Sequence, residues 1–154
     1  MILSIDVGSV NFGYSRWSRA RGFYDFGVIN LKQMKGDMPT RVHALWKEGF
    51  FDGADIILVE RQMRAKFKEA VVAIRCFGQN FEKTSVVAPQ SVKRHFATSK
   101  LDHRRNKKAH IELARSFLSA DELARLERFK KKDDICDCVV QTMYFVEKKM
   151  APVH

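Results

Sequence analysis

Two short apolar runs, each ending at or just after an acid, constrain the fold of this chain more than any other feature. Ile2–Val7 and residues 55–60 are mostly aliphatic, and they carry Asp6 and Glu60 at or next to their ends. A continuous apolar run of this length is typical of a strand buried on both faces. Open α/β sheets place their ligands beyond the strand ends. We therefore predict a central sheet with both acids where a ligand can bind.

The rest of the chain predicts a mixed α/β arrangement. Residues 12–17 and 22–31 have strand patterns, and their short connections favour antiparallel pairing. Pro39 suits the first turn of a helix. The later segments are a helix at 66–83, a strand at 84–88, a turn or short helix at 89–93, and helices at 107–118, 121–129 and 133–149. This order predicts three antiparallel strands followed by parallel strands, flanked by helices, in a single domain over 1–154.

The charge balance indicates a polyanionic partner. Lys and Arg number 28 against 18 Asp and Glu, a formal net charge of +10. Nucleic acid is the first candidate, ahead of an anionic membrane surface or a merely solvated exterior. No apolar run approaches the roughly 20 residues of a membrane span, and the apolar start is interpreted as a strand. The three cysteines form no CxxC pair, which disfavours a zinc site or a disulfide framework and favours a reducing, intracellular setting.

The chemistry is expected in a small set of carboxylates. Asp6 and Glu60 lie at strand ends, while Asp134 and Asp137 are three residues apart and share a helix face. Asp133 lies near the same face, and spacing alone does not choose between it and Asp134. Gathered carboxylates repel one another unless a cation joins them, and magnesium prefers such oxygens. Two magnesium ions held in this way catalyse phosphodiester cleavage in many nucleases.

Each acid also has an ordinary structural interpretation. A single strand-end acid such as Asp6 is more often a turn or cap residue than a catalytic one. Asp133 would serve well as the N-cap of the last helix, and its neighbours would offset the helix dipole. Only the combination of two strand-end acids, a helical pair and a strong positive charge favours catalysis.

Several motifs in order along the chain resemble those of RuvC-like Holliday-junction resolvases, most closely the poxvirus-type branch. Residues 4–11 are similar to the opening Asp-x-Gly-x-x-Asn strand, and residues 58–62 to the Glu-Arg-Gln motif. The remaining matches are residues 87–89, 106–111 and 132–137, the last with the Asp-x-x-Asp spacing of the family's closing acids. The resemblance covers nearly the whole chain.

The resemblance implies a ribonuclease-H-like fold and a homodimer that makes paired nicks in four-way DNA junctions. It implies Mg²⁺ as cofactor, two ions per active site with Mn²⁺ as a substitute, held by Asp6, Glu60, Asp134 and Asp137. Asp133 is then left as the cap. It also implies an active-site lysine: Lys108 is the first choice, Lys107 the second and Lys100 the third. No membrane and no small-molecule substrate are expected. We expect a viral protein that acts in the host cytoplasm or nucleus.

Basic residues supply the expected DNA contacts, which would bind backbone phosphates without reading bases. They follow Glu60 directly or occupy the basic runs 100–108 and 125–132: Arg61, Arg64, Lys66, Lys68, Lys100, Arg104, Arg105, Lys107, Lys130 and Lys131. The alternative is that these are simply solvated helix ends. The histidines His95, His103 and His110 show no metal-ligand spacing.

The helix predicted over 66–83 carries more large apolar residues than one core face needs. We expect it to form the dimer interface, as the resemblance also implies, through Phe67, Val71, Ile74, Phe77 and Phe81. The alternative is that all of them face their own core. The competing functions are a broader nuclease of the same fold acting on hybrids, flaps or splayed duplexes, and a binding module without catalysis. A small kinase-type ATPase is disfavoured because no second phosphate loop follows.

Overall fold

The computed structural model describes residues 1–61, 65–77, 81–98 and 102–150. Its strands are β1 (Ile2–Val7), β2 (Asn11–Ser18), β3 (Gly22–Asn30), β4 (Ile56–Glu60) and β5 (Thr84–Val87). Its helices are α1 (Met38–Lys47), α2 (Ala65–Cys76), α3 (Pro89–His95), α4 (His103–Ser116), α5 (Ala120–Leu126) and α6 (Lys132–Lys149). In these ranges no helix has both the length and the apolar character needed to cross a bilayer.

The five strands form one mixed sheet in the order β3-β2-β1-β4-β5. β1, β2 and β3 pair antiparallel, whereas β4 pairs parallel to both β1 and β5. Short connections join the antiparallel strands, and helices make the crossovers to the parallel ones, as chain geometry requires. The predicted fold class is confirmed.

Alternation along the strands divides the core between the two faces of the sheet. Leu3, Ile5 and Val59 pack on the face covered by α1 and α2. Ile2 and Leu58 pack on the other face, with residues of α3, α4, α5 and α6. Because successive side chains of a strand point to opposite faces, Asp6 and Glu60 belong to this second face. The hydrophobic pattern of the strands thus directs both acids towards α6.

A glycine lets the start of α6 approach the sheet closely. Gly13 of β2 is paired in register with Asp6 of β1. A Cβ built on Gly13 would lie 2.7 Å from the backbone oxygen of Asp134 and 2.9 Å from its Cβ. Farther along α6, Gln141 Nε2 donates a 2.9 Å hydrogen bond to Oγ of Ser4. These contacts fix α6 across the strand that carries Asp6.

Some predicted helix bounds are wrong. α2 ends at Cys76 rather than at residue 83, shortly before Gly78, which is a poor helix former. α4 begins at His103 rather than at Lys107, because the Asp102 side chain accepts a 2.9 Å hydrogen bond from the backbone N–H of Arg105 and caps the helix. Lys107 therefore lies inside the helix and not at its opening.

Candidate active site

Carboxylates from three elements converge on the α6 face of the sheet. Asp6 comes from β1, Glu60 from β4, and Asp134 and Asp137 from the first turns of α6. Burial raises the pKa of Asp6 well above its usual value, and the charges of Asp137, Glu60, Asp134 and Asp133 raise it further. The structure thus brings together all four acids singled out from the sequence, with Asp133 beside them.

The electrostatics of this group are unfavourable without a cation. Burial and the charge of Asp137 raise the pKa of Glu60 to about 7, while Lys93 and His110 act in the opposite direction. Burial, followed by the charge of Asp133, raises the pKa of Asp134 as well. Carboxylates that disfavour one another's ionisation in this way are stabilised by a shared cation.

The donor set fits a hard divalent cation. Carboxylate oxygens are the ligands that magnesium prefers, and a partly buried group of them limits the solvent that screens a bound charge. In the described ranges, no three His, Cys, Asp or Glu side chains are already arranged around a single metal position. The fit therefore rests on the chemistry of the donors and their mutual repulsion.

A cleft of about 260 Å³ lies beside these carboxylates. Acidic side chains of β4 and α6 and basic side chains of α3 and α4 both line it. Its lining residues are Glu60, Pro89, Val92, Lys93, Asn106, Lys107, His110, Asp133, Asp137 and Gln141. A cleft with both signs of charge suits a phosphodiester held beside a cation.

Lys107 and Asp133 form an ion pair in this cleft, with 2.5 Å between Nζ and Oδ2. Although burial works in the opposite direction, the hydrogen bond from Lys107 lowers the pKa of Asp133. The expectation that Asp133 caps the last helix is wrong. Lys131 occupies the N-cap position and makes no side-chain cap hydrogen bond. Asp133 lies in the first turn, and its carboxylate is paired with Lys107.

Lys108, the first choice for an active-site lysine, points elsewhere. Its Nζ lies 3.8 Å from Oε1 of Glu112, and its side chain is 81 % exposed. Neighbouring positions on a helix differ by about 100° in direction, so Lys107 and Lys108 cannot both face the acids. The geometry favours Lys107, the second choice, while Lys100 lies outside the described residues.

The sequence interpretation missed two cationic or polar groups of the cleft. Lys93 follows Ala88-Pro89 on α3 and lies close enough to lower the pKa of Glu60. His110 places Nδ1 2.8 Å from Oδ1 of Asp137. The sequence feature that could have placed His110 in the cleft is its position three residues after Lys107, on the same helix face. Its spacing from the other histidines gives no such indication.

The basic residues expected to bind DNA lie largely at the surface. Exposed in the structure are Arg61, Lys68, Arg104, Arg105, Lys107, Lys130 and Lys131. Arg64 and Lys100 lie outside the described residues, and Lys66 belongs to α2 without a described side chain. Their role in DNA binding stays a prediction.

The structure changes the set of residues available for a dimer interface on α2. Ile74 is fully buried in its own core, so its assignment to an interface is wrong. Phe67, Val71 and Phe77 are half-buried and pack against the same core. Phe81 is 58 % exposed and lies beyond the end of α2, while Val72 is 60 % exposed on the helix. The large apolar side chains expected on one stripe are thus divided between core and surface.

Solved structures with a similar fold are Holliday-junction resolvases. The fowlpox virus resolvase in complex with its substrate Holliday-junction DNA matches with a TM-score of 0.69 and 17 % identity over 95 % of this chain and 96 % of that one. RuvC of Thermus thermophilus matches with a TM-score of 0.62 and 14 % identity over 95 % of both chains. These likenesses confirm the ribonuclease-H-like fold.

Sequence comparison gives the family. A search of curated proteins found no match. The family model described as Poxvirus A22 protein matches residues 1–149, nearly the whole chain. This protein therefore belongs to the poxvirus A22 protein family.

Proposed function

We propose that this protein is a Holliday-junction resolvase, a structure-selective endonuclease that makes paired symmetric nicks in four-way DNA junctions. The observation that carries the proposal is the convergence of Asp6, Glu60, Asp134 and Asp137 beside a cleft lined with basic residues. The same fold occurs in a fowlpox virus resolvase solved with junction DNA. Membership of a poxvirus family supports the expected viral origin.

We assign the four carboxylates to the cofactor, two Mg²⁺ ions per active site, for which Mn²⁺ substitutes. Bound by these carboxylates, magnesium would supply activation of a water and stabilisation of the leaving oxygen of a phosphodiester. Lys107, in place of Lys108, is assigned to the scissile phosphate, where its ammonium group would offset developing negative charge. Lys93 lines the same cleft and would bind the same strand.

The basic surface holds the DNA and does not select its sequence. Exposed residues such as Arg61, Lys68 and Arg104 would contact backbone phosphates, which position a duplex without reading its bases. Affinity would therefore depend on charge, and selectivity on the shape of the junction. The protein would act on DNA, in recombination or repair, with no small-molecule substrate and no membrane.

A homodimer would deliver the paired nicks, because one active site cannot reach two strands of a junction at once. Val72 and Phe81 are exposed large apolar side chains in or near α2, and Phe67, Val71 and Phe77 are half-buried against the core. We propose this surface for the interface, without the buried Ile74.

An intracellular site of action, in the host cytoplasm or nucleus, is part of the same proposal.

A gel assay on matched substrates tests the proposed function. The protein is incubated with a four-way junction, a linear duplex of the same sequence, a flap and an RNA–DNA hybrid, with magnesium or with EDTA. We expect magnesium-dependent, symmetric cleavage of the junction and little cleavage of the duplex. Equal cleavage of hybrids or flaps would indicate the broader nuclease, and binding without cleavage would indicate a non-catalytic module.

A further inference from the structure

His110 is a largely buried histidine of α4 to which the proposed mechanism gives no role. Its side chain is 12 % exposed, and its Nδ1 lies 2.8 Å from Oδ1 of Asp137. It follows Asn106 by four residues and Lys107 by three, and all three line the cleft. Helical spacing thus places His110 on the face of α4 that meets the carboxylates.

The direction of this hydrogen bond follows from the chemistry of the two groups. An ionised carboxylate only accepts hydrogen bonds, so the hydrogen must be on Nδ1 of His110. Its other ring nitrogen, Nε2, is buried and has no hydrogen-bond partner in the described part of the chain. A histidine that only filled space here would be replaced at little cost by an apolar residue, whereas buried polar groups are normally paired. Among the described residues, the hydrogen bond to Asp137 is therefore the one polar contact that holds the imidazole.

Asp137 needs such a partner because packing alone does not hold it. Its side chain is 42 % exposed, so without His110 the carboxylate could rotate towards solvent and away from Asp6 and Glu60. Groups that hydrogen-bond to metal-binding carboxylates orient them, and their loss typically weakens metal affinity about 10- to 100-fold.

We infer that His110 is a positioning residue, whose Nδ1–H holds the Asp137 carboxylate in one orientation for cation binding. The inference rests on the proposed function, since it takes Asp137 as a cation ligand. It concerns the cofactor rather than the DNA, so His110 would affect metal affinity and leave junction affinity unchanged.

A matched control is a histidine of α3 that pairs with another carboxylate of α6. His95 Nε2 lies 2.6 Å from Oε2 of Glu147. Glu147 follows Asp137 by ten residues along α6, which corresponds to about 15 Å of helix. His95 is therefore a histidine paired with an α6 carboxylate at a distance from the proposed site.

The test compares His110→Ala, His110→Asn and His95→Ala with the wild type by isothermal titration with Mn²⁺. We expect His110→Ala to weaken Mn²⁺ binding about 10- to 100-fold, and His95→Ala to leave it unchanged. His110→Asn should retain most of the affinity, because its amide N–H can take the place of Nδ1–H. Thermal unfolding followed by circular dichroism establishes that each variant is folded.

Cleavage provides a second, separate readout. His110→Ala should require more magnesium for half-maximal single-turnover cleavage and approach the wild-type rate at saturation. Unchanged Mn²⁺ affinity in folded His110→Ala, or equal losses in His110→Ala and His110→Asn, would overturn the inference. If Mn²⁺ binding depends on His110 but the wild type cleaves no junction, the positioning role stands and the resolvase assignment fails.

Discussion

Replacing Gly13 with alanine should displace Asp134, one of the clustered carboxylates, although no carboxylate is itself mutated. The new Cβ would lie 2.7 Å from the backbone oxygen of Asp134 and 2.9 Å from its Cβ. Carbon atoms pack no closer than about 3.5 Å at their optimum, so the first turn of α6 must retreat by roughly 0.6 Å or more. The clash is with backbone and Cβ, which cannot rotate away. Overpacking of this kind costs about 1–3 kcal/mol of stability.

The same displacement should reduce catalysis more than stability. A misplacement of about 1 Å in a catalytic group typically lowers the rate about 100-fold, so we expect Gly13→Ala to lose between about 10- and 100-fold. Junction affinity should stay close to that of the wild type, because the surface charges are unchanged. Single-turnover cleavage of a labelled four-way junction measures the rate, and fluorescence anisotropy in EDTA measures the affinity.

Gly27→Ala is the matched control. Gly27 lies in β3 of the same sheet, and its new Cβ would meet the Tyr14 ring at 3.1 Å, a side chain that can move aside. We expect a modest loss of stability and no loss of cleavage rate. The reasoning would be refuted by a folded Gly13→Ala protein that cleaves as fast as the wild type, or by an equal loss of rate in Gly27→Ala.

Four further predictions concern the proposed site and surface. Asp6→Asn should abolish cleavage, keep junction binding and raise the melting temperature of the metal-free protein, since it removes a buried charge repelled by four others; near-normal cleavage would contradict the assignment. Lys107→Ala should lower the single-turnover rate more than Lys108→Ala does. The reverse order would show that Lys108 is the active-site lysine. Junction affinity, measured by anisotropy, should fall as salt is added. A plot of log affinity against log salt concentration should have a slope of roughly −5 or steeper for six or more phosphate contacts. A slope near zero would mean that the positive charge of the protein does not serve DNA binding. Phe81→Glu should give a folded protein that light scattering shows to be a monomer and that nicks one strand without coordination. If the variant is still a dimer that makes paired nicks, this surface is not the dimer interface.

The sequence by itself predicted the sheet and the identity of the clustered acids. Apolar runs with period-two or continuous patterns define strands locally, and short connections leave antiparallel pairing as the available arrangement. Asp6 and Glu60 could be assigned because each lies at the end of such a run, and Asp134 and Asp137 because their spacing follows the helical repeat. These properties depend on neighbouring residues, so they can be inferred before the fold is known.

Only the tertiary structure decided which neighbours of these acids share the site. The choice between Lys107 and Lys108 depends on the rotation of α4 about its axis, which is set where Ala114 packs into the core shared with α6. Lys93 and His110 reach the cleft because α3 and α4 pack on the same face of the sheet as α6. Ile74 and Phe81 looked alike in one apolar stripe, but α2 ends between them, and packing buries the first and leaves the second exposed. Such outcomes depend on how separate elements pack, and residue spacing within one element does not by itself determine that packing.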